Sequence, residues 1–132
     1  MTLSTIEVMI DAKIEDVWQV VTQLENVTWR SDISRIELLN EGTEFVEYTM
    51  DGYPTHFTIT EFQPPTDYAF TMNNDNMSGK WRGTLTKRGE QTQAVFTEEV
   101  YAKKLFLKPF VKRYLAKQQK QYMQDLKRHL EK

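Results

Sequence analysis

The chain has no cysteine, only two histidines, and just five glycines and four prolines among its 132 residues. Without cysteine there is no disulfide framework, no thiolate metal site and no cysteine nucleophile, a composition that suits a reducing compartment. The histidines, His56 and His129, stand far apart in the chain with no ligand-spaced carboxylates beside them, so no metal site is expected. The glycines fall at turns or in the segment GKWRG, which leaves no phosphate-cradling loop and no nucleophile elbow. Neither nucleotide chemistry nor a bound cofactor is expected. No apolar run approaches the roughly 20 residues of a spanning helix, and the opening MTLSTIEVMIDAKIEDVW has neither the basic start nor the apolar stretch of a signal peptide. These absences predict a cytoplasmic protein without stable membrane insertion.

What remains is enough for one domain, 1–132, with a core that needs no covalent staple. The formal net charge of -2 conceals an uneven distribution. Residues 1–102 hold 17 of the 19 acidic side chains and 7 of the 17 basic ones, whereas the last 30 residues hold 10 basic and 2 acidic. The C-terminal segment is a basic strip on an acidic body.

Ile6, Val8 and Ile10 alternate with polar residues or Met9, the period of a strand with one buried face. Asp11 is placed as a helix N-cap, and Ile14, Val17, Trp18, Val21 and Leu24 follow at helical spacing, with Glu15 and Asp16 at the positive helix end. A second short helix or turn is expected over Glu25 to Ser31, anchored by Trp29. Six strand-like segments then follow: SRIELL, FVEYTM, THFTITEF, DYAFTM, GKWRGTLT and QAVFTEEVY. Turn residues separate them, Asp51-Gly52 being the sharpest hairpin signal and Pro64-Pro65 fixing a loop. Strands joined in this way pair antiparallel. The last segment places Leu107, Phe110, Val111, Tyr114, Leu115, Tyr122, Leu126 and Leu130 on one helical face, with Pro109 in the first turn. The fold class is therefore α+β, ordered β-α-α-β6-α, with the long helix covering the apolar face of a six- to seven-stranded antiparallel sheet.

Three stretches carry a resemblance. IDAKIEDVWQVVTQLENVTWRSDISRIELL, with Asp11, Ala12, Val17, Trp18 and Trp29, resembles the opening of the START-like superfamily. This is also called the SRPBCC or Bet v 1-like helix-grip fold, and the likeness is to its bacterial polyketide cyclase/dehydrase-like branch. ITEFQPPTDYAF resembles that family's strand, Pro-Pro turn and next strand, and the amphipathic terminal helix completes the pattern. The resemblance implies a curved sheet wrapped around the C-terminal helix, with a cavity between them that in many members receives an apolar or amphipathic molecule. Members also include cyclases and regulatory interaction domains, so fold alone does not select among these uses.

Candidate cavity residues follow from the strand and helix faces. Tyr48, Phe70, Trp81, Phe96 and Tyr114 supply aromatic surface, although residues of this kind also fill ordinary cores. Glu98 alternates with Ala94, Phe96 and Val100, so if that set points inward a carboxyl group faces the interior; the other reading is a strand end in solvent. His56 and Arg82 are either rim groups or exposed. Gln118 interrupts the helix stripe where the period calls for an apolar residue. Lys108, Lys112, Arg113, Lys117, Lys120, Lys127 and Arg128 form the opposite, basic face, which is either solvated or docks on an acidic partner.

The expected function is non-enzymatic binding of a small hydrophobic or amphipathic molecule between sheet and C-terminal helix, with no role in DNA binding. The alternatives are a cyclase or dehydrase acting in the same cavity, and a protein or RNA interaction module on the basic helix face.

Overall fold

Residues 1–131 are described by a computed structural model. Alternating β-branched and aromatic residues form seven strands: β1 (Thr2–Ile10), β2 (Ile33–Leu39), β3 (Glu44–Thr49), β4 (Pro54–Gln63), β5 (Asp67–Asn73), β6 (Met77–Arg88) and β7 (Gln91–Ala102). Helix α1 (Ile14–Thr22) follows β1, and α2 (Lys108–Leu130) closes the chain. The strands make one antiparallel sheet in the order β1-β7-β6-β5-β4-β3-β2. The connection from β1 through α1 thus spans the sheet from one edge to the other. Register shifts between Ile33 and Arg35 and between Ile59 and Glu61 are bulges, which bend strands and help the sheet curve.

One expectation about the first connection is corrected, and the other narrows to a turn. Asp11 is not the N-cap of α1: its backbone N–H donates to the Glu131 carboxylate at 2.8 Å, and Lys13 takes the cap position without a side-chain bond. The Lys13 carbonyl accepts from the Asp16 and Val17 amides, each at 3.0 Å, which starts the helix two residues later. No helix forms over residues 25–31. Asn26 Oδ1 accepts from the Thr28 amide at 3.2 Å and from the Thr28 hydroxyl at 2.8 Å, a local side-chain alternative to helical bonding. A turn follows, in which the Arg30 amide donates to the Val27 carbonyl. The order is therefore β-α-β6-α. Trp29 still anchors the segment, packing edge-on against Tyr122 at 5.3 Å between ring centroids.

The core lies between the inward face of the sheet and the two helices. Ile10, Val17, Ala94, Phe96 and Leu126 are essentially inaccessible there. Burial of each larger side chain contributes roughly 1.5–3 kcal/mol. Pro109 occupies the first turn of α2, where its missing N–H costs no hydrogen bond, and Lys127, Arg128 and His129 suit the negative helix end. The buried line of α2 runs through Val111, Leu115, Gln119, Met123 and Leu126, while Phe110 and Tyr114 from the expected stripe are 65% and 48% exposed. Gln119 pins the helix to the sheet: it accepts from the Ser4 hydroxyl at 2.7 Å and donates to the Ser4 and Phe96 carbonyls at 3.0 and 3.3 Å. Buried Asp125 ties the helix to the crossing segment by accepting from the Ser31 amide and hydroxyl, both at 2.8 Å.

Candidate functional site

These attachments hold α2 against β1 and β7, at one side of the sheet, while β3, β4 and β5 curve away from it. The gap is a cavity in two connected parts, an inner chamber of about 90 Å³ and an outer chamber of about 600 Å³. Asp32, Glu47, Phe57, Met72, Glu98 and Gln118 line both parts and mark the passage between them. The combined size is that of a small-molecule site.

An aromatic wall follows directly from strand register. Phe45 lies opposite Phe57 and Phe70 opposite Trp81, and both pairs stack, with centroids 4.8 Å apart and planes within 5° of parallel. Phe96 packs on Trp81 at 5.0 Å and carries the wall onto β7. Gly83, opposite Phe96, makes this possible, because a Cβ there would lie 2.5 Å from the Trp81 ring. The outer chamber adds Ile33, Met77, Leu107, Val111 and Leu115, so most of its surface is apolar.

Across this wall runs a belt of charged groups. Arg30, almost wholly buried, donates to Asp32 from Nε at 3.1 Å and from Nη2 at 2.8 Å. It donates to Glu47 from Nη1 at 2.7 Å and from Nη2 at 3.3 Å, and its guanidinium lies 5.1 Å from the centre of the Tyr122 ring. Burial alone lowers the guanidinium pKa; Glu47 and Asp32 outweigh that and hold it above its ordinary value. Arg30 is therefore a fixed cation already engaged by two carboxylates.

Glu98 faces the same belt, directly across the β6–β7 pairing from Trp81. Among the described residues it forms no ion pair, Arg30 being committed to Asp32 and Glu47. Burial pushes its carboxyl up to about 7, the negative charge of Glu47 adds to the rise, and Arg30 opposes it. Glu98 thus exchanges a proton near neutral pH inside the cavity. Two further groups stand ready for a hydrogen bond: the Tyr68 phenol on the inner chamber and the Tyr53 phenol on the outer one. Both oxygens are buried without a hydrogen-bond partner among the described residues. Burial also raises the pKa of the Tyr68 phenol, which keeps it protonated.

Of the residues singled out from sequence, Phe70, Trp81 and Phe96 line the inner chamber, Tyr114 the outer one, and Glu98 and Gln118 both. Tyr48 and His56 lie elsewhere, on the opposite face of the sheet. Tyr48 packs under the Arg35 guanidinium at 3.8 Å and donates to Glu37, while His56 pairs with Glu44 at 2.9 Å. Each is a neighbour of the residue that does face the cavity, Glu47 and Phe57 respectively, and successive strand side chains point to opposite faces. Arg82 is likewise on the outside, paired with Glu61 and Asp67. Arg30, Asp32, Glu47 and Tyr53 carry no expectation from sequence, whereas Tyr68 belongs with the strand aromatics that point to a cavity. Glu47 carried a usable signal, the same alternation with an aromatic (Phe45) that marked Glu98 beside Phe96.

Most of the basic helix face is exposed, although Arg128 pairs with Asp125 and Lys127 donates to the Met9 carbonyl. Among the described residues no helix is long and apolar enough to cross a membrane.

Comparison with known proteins agrees with this architecture. A START superfamily protein from Mycobacterium smegmatis superposes with a TM-score of 0.81 at 16% identity, over 98% of this chain and 97% of that one. The di-domain ARO/CYC protein BexL from the BE-7585A biosynthetic pathway gives 0.83 at 12% identity, over 99% of this chain and 47% of that one. Likenesses at such identities establish the fold. A "Probable small ribosomal subunit protein cS23" of Synechococcus is 46% identical over 39 residues, which are 29% of this chain and 39% of that protein. The family described as polyketide cyclase/dehydrase and lipid transport matches residues 1–131. With the helix-grip fold and its cavity in place, this match shows that the chain belongs to the polyketide cyclase/dehydrase and lipid-transport family.

Proposed function

We propose that this protein binds a small hydrophobic or amphipathic molecule in the cavity between the sheet and the C-terminal helix, as a carrier or sensor and not as a catalyst. The supporting observation is a 600 Å³ chamber walled by apolar side chains and crossed at one level by a belt of polar ones. Apolar ligand surface removed from water there contributes roughly 25 cal/mol per Å². The phenols of Tyr53 and Tyr68 and the Glu98 carboxyl would orient the polar end. Thermal unfolding in the presence of fatty alcohols, quinones, isoprenoids and aromatic polyketides tests the reading. A saturable rise in Tm with at least one class is expected, and no shift with any of them counts against it.

A second reading is favoured by one group. Glu98, titrating near 7 inside a largely apolar cavity, has the properties of a general acid or base, and BexL, an ARO/CYC protein, shares the fold. An enzyme of the cyclase or dehydrase type would remove water from a β-hydroxyketone chain in a Glu98-dependent way. Incubation with such compounds, followed by mass spectrometry, separates the readings: a carrier leaves them unchanged, and an enzyme loses turnover on Glu98→Gln.

A further inference from the structure

The charge of the belt selects among ligands. Asp32, Glu47 and Glu98 line both chambers, and Arg30 is the one cation set among them. Four of its five N–H donors are aligned on Asp32 and Glu47. A carboxylate entering the cavity would therefore find the guanidinium already occupied and would meet three acidic side chains. Three carboxyl groups facing one guanidinium leave the belt negative whether Glu98 is ionised or protonated. Lys117, the other cation lining the cavity among the described residues, is exposed at its outer edge, where solvent screens its charge. A hydroxyl or carbonyl, by contrast, can exchange a hydrogen bond with the unpartnered phenols of Tyr53 and Tyr68, and an ammonium group can pair with Glu98.

We propose that the cavity takes amphipathic ligands whose polar end is neutral or cationic and rejects those ending in a carboxylate. This rests on the cavity being a ligand site, and it reverses a common expectation for a buried arginine, which in isolation would attract fatty acids.

The test uses three ligands of one chain length, dodecylammonium, dodecanol and dodecanoate, each below its micelle concentration. They are titrated calorimetrically at pH 8 into the wild-type protein and into Glu98→Gln. The expected result is that the amine and the alcohol bind, and that dodecanoate binds at least about tenfold more weakly than the alcohol. Glu98→Gln should lower the amine-to-alcohol affinity ratio by about tenfold, a pattern that attraction to the acidic outer surface would not produce. Dodecanoate binding as tightly as the alcohol, or an amine-to-alcohol ratio unmoved by Glu98→Gln, leaves the cavity reading standing and overturns the headgroup inference. Binding of none of the three removes the cavity reading itself, and the inference with it.

Discussion

Replacing Glu98 by glutamine keeps the size and shape of the side chain and removes its titration, so the change in stability isolates one carboxyl group. Its ordinary pKa of 4.5 rises to about 7 in the folded protein, chiefly through burial and secondarily through Glu47. Because the folded state holds this proton more tightly than the unfolded state, stability is fully retained below about 4.5. It falls as pH rises through 7, and the whole penalty is present above that. At about 1.4 kcal/mol per unit, the shift amounts to about 3.5 kcal/mol, an upper value because water in the cavity screens part of it. Urea unfolding of the ligand-free proteins at half-unit steps from pH 5 to 8.5 measures the effect. Other titrating groups, including Asp51 and Asp125, are common to both proteins and cancel in the difference. Glu98→Gln should exceed the wild type by under about 1 kcal/mol near pH 5 and by about 2–3 kcal/mol at pH 8.5. Parallel curves across that range would mean that Glu98 is solvated, and the account of the belt would fail.

Three further substitutions probe the surroundings of the cavity. Arg30→Met leaves the largely but not fully buried Asp32 and Glu47 uncompensated and should cost about 3–5 kcal/mol at pH 7; a loss under about 1 kcal/mol in urea unfolding would show the cluster to be hydrated. Gly83→Val places side-chain atoms where the Trp81 ring lies and should cost about 1–3 kcal/mol. It should also alter the near-UV circular dichroism of the stacked Trp81–Phe70 pair, and an unchanged spectrum would refute the packing described. Asp125 is opposed in its ionisation by burial, but hydrogen bonds from Ser31, Gln121 and Arg128 outweigh this and hold its pKa below the usual carboxylate value. The stability it contributes is therefore present above its ordinary 3.8 and lost as pH falls through its lower folded value. Asp125→Asn should cost about 1–3 kcal/mol at pH 7, with a gap that narrows in acid; a gap independent of pH would contradict this.

The element order was largely readable because each strand is short, regularly alternating and bounded by turn residues. In β7 the unbroken alternation of Ala94, Phe96, Glu98 and Val100 groups Glu98 with Phe96 on one face, but only the fold shows that this face turns inward. In β3 the sequence FVEYT has a large apolar or aromatic residue on both parities, so Tyr48 attracted attention while Glu47 faces the cavity. In β4 a bulge breaks the period near Ile59, so alternation alone leaves open whether His56 or its neighbour Phe57 faces inward. Helix α2 was displaced by one position: Gln119 is the buried amide, while Gln118 borders the cavity. Arg30 and Asp32 sit in an irregular segment with no period to read, and only the pairing of Arg30 with Asp32 and with Glu47, remote in sequence, gives them a place in the belt. The segment over residues 25–31 favours a turn because Asn26 satisfies Thr28 locally, a competition that helical spacing does not reveal.

Entry of ligands into the space between sheet and helix can be tested with methionine methyl groups as reporters. Met72 and Met77 line the cavity, whereas Met1, Met9 and Met50 are 73%, 42% and 66% exposed. With carbon-13 methyl methionine and a titration of dodecanol, Met72 and Met77 resonances should shift saturably while those of Met1, Met9 and Met50 stay in place. Shifts confined to the exposed methionines, or none at any methionine, would contradict the account.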